Sequence, residues 1–126
     1  MTASQLFPML SCADLERSLA LYRDLLGGVE TYRFPPEGEP GYIALDIGAS
    51  HIGLGAMSGP PIHGRPQRPA TGHRIELCVY VPDVDDVFAR TRDAGFEAVA
   101  EPADMPWGER VAWIADPDGN LLMLTR

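Results

Sequence analysis

The feature that most constrains the fold of this chain is an internal repeat. Its 126 residues contain two stretches that align when Asp14 is matched to Asp83, an offset of 69 positions: LFPMLSCADLERSLALYRDLLGG and RIELCVYVPDVDDVFARTRDAGF. The same offset matches Leu10 to Val79. A repeat of this kind predicts two copies of one supersecondary unit that share a common path of strands and helices.

Each copy carries the pattern of a helix. Asp14 and Asp83 stand where a carboxylate can accept hydrogen bonds from the first turn. Gly27 and Gly95 are placed to end the helices in the left-handed conformation. Between these bounds, residues recur at helical spacing and predict one stripe per helix that packs on a sheet. The stripes comprise Leu15, Ser18, Leu19, Tyr22 and Leu26 in the first copy, and Val84, Val87, Phe88 and Thr91 in the second.

Alternating residues and turn residues predict the strands. Segments 42–47 and 51–56 predict a hairpin about 48–50, and segments 111–115 and 121–124 predict another about 116–120. In the fifth strand, one set of side chains is expected to face the helix and the alternate set the opposite side of the sheet. The first set is Ile75, Leu77, Val79 and Val81, and the second is Glu76, Cys78 and Tyr80.

These patterns divide the chain into a first βαβββ module at 1–56, a linker at 57–72 and a second βαβββ module at 73–126. The linker holds four prolines and three glycines without periodicity. The predicted fold class is α+β, with two modules that form open barrel-like sheets. Because a helix covers one face of each sheet, the other two faces are expected to enclose a cavity, where a functional site is to be sought.

Charge and hydropathy exclude several classes of function. The net charge is −8 and all ten basic residues are arginine, which argues against nucleic-acid binding. The chain has no apolar run of about 18 residues, as a membrane span would need. Its first residues lack the features of a secretory signal, so we expect a cytoplasmic protein with no membrane partner. Cys12 and Cys78 lie in apolar runs and are expected to be buried thiols.

Three motifs resemble those of the vicinal oxygen chelate superfamily of glyoxalases, bleomycin resistance proteins and dioxygenases. The first resembles its opening V-x-D-L-x-R-S-x-x-F-Y-x-x-x-L-G signature, the second the counterpart in its second module, and the third its closing D-P-D-G-N-x-x-E-L motif. They are LSCADLERSLALYRDLLGG, VYVPDVDDVFARTRDAG and WIADPDGNLLML. The resemblance implies paired βαβββ modules, usually in a homodimer. It also implies a metal bound by the first and last strands of each module.

The four positions that the resemblance assigns to metal ligands hold Phe7, Leu54, Glu76 and Met123, with Leu54 located by the 69-residue offset from Met123. Only Glu76 offers a hard donor, whereas catalytic zinc and octahedral iron or manganese need about three protein ligands. His51 is expected one residue out of the inward register, so only a slip of one would turn it inward. We therefore expect no metal and no cofactor.

The role of Glu76 stays open between pairing with an arginine such as Arg110, ligand recognition and acid–base catalysis. No other residue is predicted to be catalytic, because the chain has neither a G-x-S-x-G motif nor a glycine-rich phosphate loop.

Apolar residues in place of metal ligands predict that the site binds an organic ligand. Tryptophan offers a flat ring for stacking, and methionine adapts to irregular shapes. The predicted ligand-binding residues are Phe7, Met9, Tyr42, Leu54, Glu76, Tyr80, Trp107, Trp113 and Met123. Resemblance to the metal-free bleomycin-resistance-type branch implies that the protein sequesters a small aromatic or apolar molecule, such as an antibiotic. Two alternatives stay open: a lyase, isomerase or dioxygenase with a degenerate or absent metal site, and a regulatory module with a vestigial cavity.

Overall fold

The computed structural model describes residues 2, 4–57, 63–65, 71 and 75–126. The chain divides into two compact units, Met1–Gln67 (unit 1) and Arg68–Arg126 (unit 2). The predicted linker, 57–72, lies mostly outside the described residues, and its bounds stay a prediction. The last strand of unit 1 ends at Ala56, and the first strand of unit 2 begins at Glu76.

In the residues that the structure describes, unit 1 contains one helix and one four-stranded mixed sheet. The sheet has the order β1-β4-β3-β2, in which β1 pairs in parallel with β4 and the other pairs are antiparallel. The elements are β1 (Met9–Cys12), α1 (Leu15–Leu19), a π-helical continuation (Ala20–Leu25), β2 (Val29–Phe34), β3 (Tyr42–Ile47) and β4 (Ser50–Ala56).

Unit 2 repeats this architecture with the order β5-β8-β7-β6 and again one parallel pair, β5 with β8. The two open sheets confirm the predicted α+β fold of two βαβββ copies. The elements are β5 (Glu76–Tyr80), α2 (Val84–Asp93), β6 (Glu97–Asp104), β7 (Arg110–Ala115) and β8 (Leu121–Thr125).

The predicted helix caps are confirmed. The Asp14 carboxylate accepts a hydrogen bond from the backbone N–H of Arg17 at 3.1 Å, and Asp83 accepts one from Asp86 at 3.0 Å. Gly27, after the first helix, has φ +79°, a conformation that glycine adopts without steric cost. No helix in the described part of the chain is long and apolar enough to cross a membrane.

The first helix differs from its prediction in its second half. From Ala20 to Leu25 it is π-helical, and the wider turn buries Leu21 as well as the predicted Tyr22. In each unit the stripe packs on the helix-facing side of the sheet, whose buried residues are mainly apolar. They are Leu10, Cys12, Ile43, Leu45, Ile52 and Leu54 in unit 1, and Ala112, Ile114, Leu122 and Leu124 in unit 2.

The hairpin of unit 2 is one residue longer than that of unit 1. Leu54 pairs with Leu10, and Leu124 pairs with Val79, the repeat mate of Leu10. The structural equivalent of Leu54 is therefore Leu124, at an offset of 70. The single offset of 69 is wrong in the last strand of each module, and a one-residue error exchanges the two faces of a strand.

The D-P-D-G-N motif forms the turn of this longer hairpin. Asp116 is buried and accepts hydrogen bonds from the backbone N–H groups of Asp118 and Asn120 at 3.0 and 2.7 Å. Its second oxygen accepts from the Asn120 side chain at 2.8 Å. The motif therefore has a structural role that closes the β7–β8 turn.

Candidate functional site

Each sheet has one face that its own helix leaves uncovered, which we term the free face of that unit. Strand register assigns the residues on it, because hydrogen-bonded partners project to the same side. On the free face of unit 1, Met9, Gly53, Ala44 and Tyr32 form one row across the four strands. A second row contains Ser11, Gly55, Tyr42 and Phe34.

At the centre of the free face of unit 1, an aromatic ring lies over a glycine of the sheet. A Cβ atom added at Gly53 would overlap the Tyr42 hydroxyl and lie 3.0 Å from two carbons of its ring, so that Tyr42 lies directly over Gly53. The Tyr32 ring follows, with its centroid 6.1 Å from that of Tyr42. Glycine therefore lets a tyrosine ring lie flat on the backbone of this sheet.

The outer part of this face carries exposed apolar side chains. Met9 is 65% exposed, Tyr32 54% and Phe34 60%. Phe7 precedes β1, and its ring makes an edge contact with His51 at a centroid distance of 6.2 Å. The structure thus places the predicted residues Phe7, Met9 and Tyr42 on the same side of unit 1.

Leu54 does not belong to this face. It is fully buried, and its partners Leu10 and Ile43 lie on the helix side of the sheet. The expectation that Leu54 projects to the open side is wrong, because the shorter hairpin of unit 1 moves the repeat by one residue. Gly53 holds the position equivalent to Met123 instead.

The same one-residue correction places His51 on the free face, contrary to its expected position. Its partner in β3 is Asp46, and its Nδ1 forms a hydrogen bond with the Asp46 carboxylate. A carboxylate on one ring nitrogen fixes the orientation of an imidazole and leaves the other nitrogen for a second partner.

The free face of unit 2 is centred on a row of Cys78, Met123, Trp113 and Ala100. Met123 and Trp113 are direct cross-strand partners and are half-buried, so these two predicted residues lie side by side. Cross-strand neighbours of this kind present a continuous apolar surface.

Glu76 is exposed on this face, where the alternation of β5 placed it. The suggested partner Arg110 does not bind it. Arg110 donates instead to Asp85 on α2 at 2.7 Å and to Asp104 at 3.0 Å. The suggested pairing with Arg110 is therefore wrong, and the choice between another arginine partner, ligand recognition and acid–base catalysis stays a prediction.

Glu109 joins two of the predicted aromatic residues. Its Oε1 accepts a hydrogen bond from Trp107 Nε1 at 2.8 Å, and its Oε2 accepts one from the Tyr80 hydroxyl at 3.3 Å. The charge of Glu109 is the largest cause that raises the pKa of Tyr80. We term Tyr80, Trp107 and Glu109 the Glu109 cluster.

The two cysteines differ in exposure. Cys12 is buried as predicted, whereas Cys78 is exposed on the free face of unit 2, where its strand parity directs it. Partial burial of the thiol is the largest cause that raises the pKa of Cys78, and the charges of Glu109 and Glu76 act in the same direction. The thiol is therefore protonated over a wider pH range than an ordinary cysteine.

The donor set does not fit the metal that the resemblance implies. With the corrected register, the four positions hold Phe7, Gly53, Glu76 and Met123, of which only Glu76 carries a hard donor. Within the described ranges, no group of three or more histidine, cysteine, aspartate or glutamate side chains could hold a metal ion.

Comparison with known proteins defines the family. The model of the Glyoxalase/Bleomycin resistance protein/Dioxygenase superfamily matches residues 5–124, and the chain belongs to this superfamily. It is 30% identical over 118 residues to an uncharacterized protein of Mycobacterium bovis, a match that covers 91% of this chain and 78% of that protein.

Two solved structures show the same fold. TioX from Micromonospora sp. ML1 is 27% identical with a TM-score of 0.73, and the match covers 98% of both chains. A glyoxalase-related enzyme from Fulvimarina pelagi is 20% identical with a TM-score of 0.79, over 98% of this chain and 88% of that one.

Three residues of the free faces were not indicated by the sequence patterns. Tyr32 and Phe34 lie two positions apart on β2, so their period-2 spacing was an available signal. Glu109 had no such signal, because its contact with Tyr80 joins residues 29 positions apart.

Proposed function

We propose that this chain is a metal-free binding protein that sequesters a small aromatic or apolar organic molecule. One observation carries the proposal: each unit presents aromatic and methionine side chains at or beside the positions where the resemblance implies metal ligands. Phe7 and Met123 occupy two of those positions, Met9 follows Phe7 by two residues, and Trp113 is the cross-strand partner of Met123.

Such surfaces can bind a ligand without a catalytic step. Burial of about 200 Å² of apolar surface contributes roughly 5 kcal/mol before the cost of association. Each further factor of ten in affinity requires about 1.4 kcal/mol. Exposed tryptophan and tyrosine rings are suited to stacking on planar molecules, and we infer a planar antibiotic as the ligand, with a homodimer in the cytoplasm as the working form.

A thermal-shift panel of planar aromatic antibiotics tests the proposal. A ligand at a hundredfold its dissociation constant should raise the free energy of unfolding by about 2.7 kcal/mol. Trp113→Ala should then weaken binding by more than about 1 kcal/mol, as expected for a central aromatic contact. Ile75→Ala is the matched control, since Ile75 is exposed and has the opposite strand parity to Glu76. If no compound stabilises the protein, a vestigial regulatory module is favoured.

A second candidate is an enzyme of the same superfamily, and the position of His51 is the observation that favours it. An imidazole oriented by Asp46 on an exposed face can serve as a general base. Metal analysis of the purified protein, followed by chelation, separates the candidates. One equivalent of tightly held divalent metal that is needed for turnover, or turnover that His51→Gln abolishes, would overturn the binding proposal.

A further inference from the structure

Two exposed aromatic rings of the Glu109 cluster are oriented by hydrogen bonds to one carboxylate. Tyr80 is 72% exposed and Trp107 60%, yet each donates a hydrogen bond to the same carboxylate. Tyr80 comes from the end of β5 and Trp107 from the β6–β7 loop. Rings that are ordered before binding lose less entropy when a ligand stacks on them.

The charge of Glu109 is not neutralised by the groups that bind it. Both of its donors are uncharged, and within the described part of the chain no arginine forms an ion pair with it. The adjacent Arg110 is held on the helix side by Asp85. A carboxylate accepts about four hydrogen bonds, so Glu109 retains acceptor capacity for a further donor.

Other groups of unit 2 reinforce this negative field. Glu76 lies on the same face as Tyr80. The raised pKa of Cys78 has the charges of both Glu109 and Glu76 among its causes, which places the two carboxylates within electrostatic reach of one point on the face. Among the described residues of this face, the cysteine and tyrosine side chains carry no charge that would offset the two carboxylates.

We propose that the Glu109 cluster is the specificity element of the binding site and selects a planar aromatic ligand that bears a positively charged nitrogen. This inference rests on the proposed function. Tyrosine and tryptophan rings attract cations through their electron-rich faces, and the carboxylate between them attracts the same charge. A neutral ligand gains only the stacking, and an anionic ligand is repelled.

Three probes of similar size separate charge from stacking: 9-aminoacridine as the cation, acridone as the neutral ring and anthracene-9-carboxylate as the anion. Their dissociation constants are measured by calorimetry near neutral pH. The cation should bind at least about tenfold more tightly than the neutral ring, and the anion more weakly than either.

Glu109→Gln tests the role of the charge, because glutamine keeps the shape and an acceptor oxygen. It should reduce the affinity for 9-aminoacridine at least about tenfold and leave that for acridone within about twofold. Glu97→Gln is the matched control: it removes an equal charge from the same sheet, at the far end of β6, and should change neither affinity.

Each outcome decides between the two proposals. Equal binding of cation and neutral ring by the unmodified protein, or a cation preference that survives Glu109→Gln, overturns the inference and leaves the proposed function standing. Binding of none of the three probes counts against both. If Glu109→Gln does not fold, a salt titration of the unmodified protein replaces it: the cation affinity should fall with salt and the acridone affinity should not.

Discussion

The two units share a framework but differ on their free faces. Both have the same strand order, an aspartate cap at the start of the helix and an apolar helix-facing side. The free face of unit 1 has Tyr42 over Gly53 and a His51–Asp46 pair. The free face of unit 2 has Trp113 next to Met123 and the Glu109 cluster. Residues that maintain the fold have kept the repeat, and residues available to a ligand have not.

The difference between the two free faces indicates which residues of this chain can determine its ligand specificity. Because their side chains differ, the two free faces present different chemistry to a ligand. The β3–β4 and β7–β8 hairpins contribute to this divergence. The second hairpin is one residue longer, and this difference sets which residues of the last strand lie on the free face.

The largest expected effect tests which side chains of the last strand in each unit face the helix and which lie on the free face. Leu54→Ala and Leu124→Ala should each destabilise the protein by about 2–5 kcal/mol, since both side chains are fully buried on the helix side. Met123→Ala should cost about 1 kcal/mol or less, because Met123 is half-buried on the free face. Urea unfolding monitored by circular dichroism provides the measurement.

If the free energy of unfolding falls with urea at the same slope in all three variants as in the unmodified protein, the substitutions change stability alone. A loss for Met123→Ala as large as that for Leu54→Ala would contradict the offset of 70 between the last strands.

A smaller effect tests whether the frameworks are equivalent. Asp14→Ala and Asp83→Ala should each cost about 1 kcal/mol, because each carboxylate caps its helix through one backbone N–H at almost the same distance, 3.1 and 3.0 Å. Thermal and urea unfolding of both variants measure the loss. The matched Asp→Asn variants keep an acceptor and should lose only a few tenths of that amount. Strongly unequal losses would show that the helices are not equivalent.

The sequence predicted the framework because its signals are local. Asp14, Asp83 and the two helix stripes follow short-range spacing, and the hairpins follow alternation and turn residues. The one error of register had a non-local cause: the alignment of Leu54 with Met123 assumed hairpins of equal length, which only the pairing of β1 and β5 with the last strands resolves.

The candidate site was predictable where strand parity alone decides orientation, as for Met9, Tyr80 and Trp113. It was not predictable where a loop folds back on a strand. Glu109 reaches Tyr80 through the conformation of the β6–β7 loop, and no periodicity encodes that contact.

The smallest expected effect concerns an ion pair between helix and sheet in unit 2. Arg110 on β7 binds Asp85 on α2 through two hydrogen bonds of 2.7 and 2.8 Å. The repeat mate of Arg110 in unit 1 is Gly41, so the same ion pair cannot form there. Unit 1 has instead an ion pair within β2, between Arg33 and Glu30. The hydrogen bond from Arg110 is the largest cause that lowers the pKa of Asp85. A carboxyl whose pKa is lower in the folded than in the unfolded state stabilises the protein above the unfolded value, about 3.9.

That stabilisation should disappear as the pH falls through the lower, folded pKa of Asp85. Arg110→Gln should therefore be less stable than the unmodified protein at neutral pH, and the two should converge in strong acid. The difference should be small because the Arg110 side chain is 34% exposed and that of Asp85 55%, so solvent screens the pair. A carbon-detected NMR titration of Asp85 measures the pKa directly, with Arg33→Gln as the control that should move Glu30 and not Asp85. An Asp85 pKa that stays low in Arg110→Gln would show that the helix itself, rather than the link to β7, stabilises the carboxylate.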